Sequence, residues 1–99
     1  MTKTRIMIVE DEWMIAEEIR MVLQSMKYEV TSMSSSGEEA VQNAEKDKPD
    51  LVLMDIVLEG EMDGIEAANE IRSRFNIPVI YLTAYTDDKI LERASVTEP

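Results

Sequence analysis

The sequence has no cysteine and no histidine, which rules out a disulfide framework and a thiolate metal site and removes the commonest nitrogen ligand. A reducing, cytoplasmic compartment suits such a chain, and any metal must be held by oxygen. Long hydrophobic runs are missing too. The apolar stretch within MTKTRIMIVEDEW is closed at once by acidic residues, fitting neither a signal peptide nor a membrane span. Basic residues are scarce: 10 Lys and Arg stand against 21 Asp and Glu, a net charge of −11, so the basic face needed for direct nucleic-acid binding is excluded. No linker, repeat or low-complexity tract divides the 99 residues, and a 44% hydrophobic content suits one small domain. Most of the carboxylates read as solvated surface. Those with chemistry must be found by position.

Apolar runs at residues 4–9 (TRIMIV), 51–54 (LVLM) and 77–83 (IPVIYLT) predict buried strands. The more polar pattern from Tyr28 to Met33 predicts an edge strand. Between them the period changes. Ile15, Ile19, Val22, Leu23 and Met26 form a helical stripe, as do Ile65, Ala68, Ile71 and Phe75. Ser36-Gly-Glu-Glu39 has the form of a capping box for a helix bearing Ala40, Val41 and Ala44 and ending before Pro49. Arg72 and Arg74 fall in the last turn of the third helix, where cations suit the dipole. Thr86 or Asp87 is expected to cap a fourth helix carrying Ile90, Leu91 and Ala94. The methionines, including Met7, Met14, Met21 and Met26, read as core fillers. Strands alternating with helices imply a doubly wound α/β fold around a parallel sheet, with right-handed crossovers. Ligands in such sheets bind beyond the carboxyl ends of the strands, where strand order reverses.

At those ends lie Glu10, Asp11 and Glu12 after the first strand, Asp55 after the third and Thr83 after the fourth. If the first and third strands are neighbours, the carboxylates converge, and they must then take up protons or gather a hard cation such as magnesium. Asp55 follows four apolar residues, so a rigid strand would present it as a nucleophile toward phosphorus. Singly, each has a plainer reading: Asp55 as a turn residue, Asp11 as a helix cap, Glu10 and Glu12 as solvated carboxylates, Thr83 as a strand residue. An acid, an acid and a hydroxyl at three strand ends favour a shared site.

With IMIVEDE, LVLMDI, MDG and PVIYLTAY in these places, the whole chain resembles the receiver domains of two-component response regulators. The resemblance implies a flavodoxin-like, three-layer α/β/α fold with strand order 2-1-3-4. It implies that Asp55 accepts a phosphoryl group from a histidine kinase. Asp11, Asp55 and the Val57 main-chain carbonyl would hold Mg2+ or Mn2+, with Glu10 acting through water. Thr83 and the Ala84 amide would contact the phosphoryl oxygens. Gly64 would allow close packing and Asp63 would cap the third helix. Phosphorylation would then shift the conformation to control an output, itself unspecified by the sequence.

Three departures from the family pattern qualify this expectation. The segment DIVLEGEMD, from Asp55 to Asp63, has Glu59 where many receivers have proline and carries one residue more. Val57 and Tyr85, which would border the path of attacking water, offer no carboxylate or amide to orient it, so a long-lived acyl phosphate is expected. The chain ends at Pro99, before the family's fifth strand, last helix and phosphate-pairing lysine. A C-terminally incomplete receiver over residues 1–99 is therefore expected to expose apolar surface and to self-associate. Other readings are an interaction or dimerisation module with the same fold, never phosphorylated, and an Asp-nucleophile phosphohydrolase. The latter is disfavoured by Val57 where such enzymes carry a second Asp. A flavin-binding relative is weaker still, because EDEW replaces the hydroxyl- or glycine-rich phosphate loop.

Overall fold

The computed structural model describes residues 3–56, 58 and 60–82, and within them strands and helices alternate as the periodicity requires. β1 (Arg5–Val9) leads to α1 (Trp13–Ser25), β2 (Glu29–Ser34), α2 (Gly37–Asp47), β3 (Leu51–Asp55), α3 (Gly64–Phe75) and β4 (Val79–Leu82). All strand pairs are parallel and the order is β2-β1-β3-β4, with the polar β2 at an edge. The expected fourth helix lies outside the described residues.

Strand alternation sorts β1 onto two faces. Met7 and Val9 join Val52, Met54 and Val79 beneath α2 and α3, whereas Ile6 and Ile8 pack with Ala16 and Leu23 of α1. The first layer is the larger. Its small residues Ala40, Ala44, Ala67 and Ala68 are fully buried, so α2 and α3 approach closely, and each large buried side chain contributes about 2 kcal/mol of hydrophobic transfer. A register shift between Ile6 and Met7 moves the β2 partner from Val30 to Ser32, which turns Ser34 inward. Its buried hydroxyl accepts from Asn43 Nδ2 at 2.8 Å.

Two expectations need correction. Only Ala16 and Leu23 of α1 are buried; Ile19 is partly covered, while Ile15, Val22 and Met26 are exposed. The apolar stripe is wider than the single sheet face it meets. Met7 and Met54 do fill the core, but Met14, Met21, Met26 and Met33 are exposed, because their positions flank the packed stripe or face outward from the edge strand.

The ends of the helices follow local chemistry. Ser36 Oγ accepts the Glu39 amide at 3.1 Å, but the Glu39 carboxylate takes the Ser35 amide at 2.7 Å instead of that of Ser36, so only half of the expected box forms. α2 ends at Lys48 with φ 47°, just before Pro49. The reciprocal box forms at α3: Asp63 accepts the Glu66 amide at 2.9 Å and Glu66 accepts the Asp63 amide at 3.2 Å.

Candidate metal and phosphoacceptor site

Parallel pairing aligns Ser34, Val9, Met54 and Tyr81 in one row across the sheet. The next residues along β1 and β3 are Glu10 and Asp55, at the reversal of strand order. The Glu10 amide donates to the Ser34 carbonyl at 2.9 Å, prolonging the ladder and fixing where its side chain departs. Asp55 is paired in register with Leu82 of β4, so it ends a strand held on both sides.

These constraints bring together one carboxylate oxygen each from Glu10, Asp11 and Asp55, all within 4.8 Å of one another. Glu10 is buried, and Asp11 and Asp55 are half-buried. The surface reading of Glu10 is thus overturned. Burial pushes its carboxyl up to about 7; the Glu12 amide, donating at 3.2 Å, opposes the rise, and Asp11 and Asp55 reinforce it. Asp11 does not cap α1, whose N-cap is Glu12 without a side-chain bond.

The donor set fits a small hard cation. Opposite oxygen ligands of magnesium are separated by about 4 Å, a span of the same order as the 4.8 Å within which the three carboxylate oxygens lie, and a cation would favour the ionised Glu10 that burial and the neighbouring carboxylates disfavour. Thiolate and imidazole are absent from the chain, so oxygen-seeking ions are favoured. Val57, Thr83 and Ala84 lie outside the described residues.

The site is closed on one side by α3. The Gly64 amide donates to the Ile56 carbonyl at 2.8 Å, and a Cβ on Gly64 would lie 2.8 Å from both the Asp55 carbonyl carbon and Ile56 Cα. Close packing by Gly64 and capping by Asp63 are both borne out. Ser34 and Gly37 had no distinguishing sequence signal. The first anchors Glu10, and the second abuts the loop before α3, with Met62 O 2.7 Å from where its Cβ would be.

A model of the family described as "Response regulator receiver domain" matches residues 6–98. The chain belongs to the response regulator receiver domain family. This receiver is 41% identical over 90 residues to the transcriptional regulatory protein PdtaR of Mycobacterium tuberculosis H37Rv, covering 91% of the chain and 43% of PdtaR. The chain therefore spans less than half the length of that curated relative. A signal receiver domain of a modulated diguanylate cyclase from Desulfovibrio desulfuricans G20 superposes with a TM-score of 0.94 at 36% identity, over 99% of this chain and 78% of that one. Bartonella quintana PhyR, an anti-anti-sigma factor solved in complex with the anti-sigma factor NepR, gives a TM-score of 0.76 at 37% identity, over 88% of this receiver and 36% of that chain. The flavodoxin-like fold of receivers and the 2-1-3-4 order agree with the observed sheet. Receiver domains are regulatory signalling domains and not enzymes in the ordinary sense. No helix among the described residues is long and apolar enough to cross a membrane.

Proposed function

We propose that this receiver takes a phosphoryl group from a histidine kinase onto Asp55, with a divalent cation held by Asp11, Asp55 and the Val57 carbonyl and by Glu10 through water. The observation that carries this reading is the convergence of the Glu10, Asp11 and Asp55 carboxylates at the switch point of the sheet. An Asp55 oxygen attacks phosphorus in line as the bond to the phosphohistidine nitrogen breaks, and the departing imidazole keeps the bonding pair. Little covalent work falls to the protein in such a transfer, and positioning with charge stabilisation does the rest. The cation, Mg2+ or Mn2+, supplies positive charge to the phosphoryl oxygens when bound. Strand pairing holds Asp55 in place. Thr83 and the Ala84 amide donate to the phosphoryl oxygens, and their engagement shifts the conformation read by the output. That output is a contact with another protein or domain, in keeping with the assembly of PhyR with NepR, and not direct nucleic-acid binding by this acidic domain.

Trp13 provides the test. It is 73% exposed and two residues from Asp11, so its fluorescence reports the site. Magnesium and then beryllofluoride should each change the signal. Asp11→Asn should abolish the first response and Asp55→Asn the second. Unchanged titrations in both variants would overturn the assignment.

A further inference from the structure

The contact between α3 and the end of β3 is tighter than helix packing requires. α3 begins at Gly64, whose amide bonds the Ile56 carbonyl at 2.8 Å, and whose Cα faces the Asp55–Ile56 peptide so closely that only hydrogen fits. Space behind the loop is also filled, since Met62 lies against the first turn of α2 with no room for a Cβ at Gly37. The Asp63–Glu66 capping box fixes the direction in which α3 leaves, and Ile65 packs on Ile56 in a small buried cluster. The peptide carrying the acceptor is thereby clamped between strand pairing on its flanks and a helix start above it.

We infer that Gly64 is a positioning residue for Asp55, and that the Asp63 cap acts through it by holding the first turn of α3 on the acceptor's own peptide. This rests on Asp55 being the phosphoacceptor. A displacement of about 1 Å at a reacting group costs on the order of a hundredfold in rate, and an alanine Cβ must push the peptide or the helix by a comparable distance. Helix propensity alone points the other way, because Ala is a better helix former than Gly. A loss of function from Gly64→Ala would therefore not come from weakening α3 itself.

The test measures the phosphorylation rate with acetyl phosphate at saturating magnesium, alongside Trp13 titration for magnesium affinity, at a temperature where melting curves show each variant folded. Gly64→Ala should slow phosphorylation roughly tenfold to a hundredfold. Asp63→Ala should slow it less, and Asp63→Ser, which removes the same charge but keeps an N-cap oxygen, should restore most of the rate. Ile71→Val, a buried change in the middle of α3, lowers stability without touching the site and should keep the wild-type rate. Wild-type rates for Gly64→Ala, or a slowing that follows melting temperature across all variants including Ile71→Val, would overturn the inference. If Gly64→Ala does not fold, equal rates for Asp63→Ala and Asp63→Ser overturn it, and a rescue by Ser supports it. A wild-type chain that takes up no phosphoryl group would remove the reading of Asp55 and the positioning role together, whereas an active wild type with unaffected variants removes the positioning role alone.

Discussion

The buried carboxylate of Glu10, at the end of β1, and the carboxylate of Asp55, at the end of the adjacent β3, lie within 4.8 Å of each other. Neither the sequence separation nor the charge would favour this contact. It is imposed by the parallel register that sets Val9 opposite Met54.

That proximity gives a pH dependence with a definite sign. The Glu10 carboxyl titrates near 7 in the folded chain against 4.5 for an ordinary glutamate, so without a divalent cation the folded state binds the extra proton. Its stabilising share is complete below about pH 4.5 and is lost as pH rises through about 7. Thermal melts in a chelating buffer should fall over that window, and Glu10→Gln should flatten the fall. Saturating magnesium should also oppose it, because the cation favours the ionised form. A melting temperature that rises between about pH 5 and pH 7 in the chelator would contradict the account.

The α2 cap is the next quantity to measure. Ser36 Oγ is the acceptor for the Glu39 amide, so Ser36→Ala should cost about 1 kcal/mol in denaturant unfolding. Glu39→Gln should cost less, because its side chain bonds Ser35 and does not close a box.

Much of this architecture was legible in the chain. The buried strands announced themselves as apolar runs and the edge strand as a polar one, since burial on two faces leaves no place for charge and burial on one does. Gly64 and Asp63 could be read from the MDG motif. Glu10 could not be read as buried from its own chemistry, because tertiary register decides it. The α1 stripe misled for a related reason: periodicity gives the width of an apolar face but not how much of it a sheet will cover. Asp11, Glu10 and Asp55 come together as expected, while Val57, Thr83 and Ala84 belong to residues outside the described set.

Exposed apolar residues predict association. Met33, Ile8, Leu53 and Ile80 form one cross-strand row on the α1 side of the sheet, and both ends of the row are exposed, Ile80 by 47%. Val22 on α1 and Met26 at its C-cap are exposed as well, and exposed apolar side chains that gather into a patch mark association surfaces. Light scattering should show a mass that rises with concentration, and Ile80→Lys should reduce it. A sharp monomer peak at every concentration would count against this.

If Asp55 is phosphorylated, the receiver resemblance would put Val57 and Tyr85 beside the path of attacking water, and neither residue type offers a carboxylate or amide to orient it. Dephosphorylation should be slow, and Val57→Asn should accelerate it. A half-life of seconds that is indifferent to Val57→Asn would contradict the expectation.

The central claim is that Asp55 is the phosphoacceptor, and intact-mass measurement with peptide mapping tests it most directly. After incubation with acetyl phosphate and magnesium, the chain should gain the mass of one phosphoryl group, mapped to Asp55, with no gain in Asp55→Asn or when the metal is chelated. A wild-type mass that does not change, or an adduct that persists in Asp55→Asn, would contradict the account.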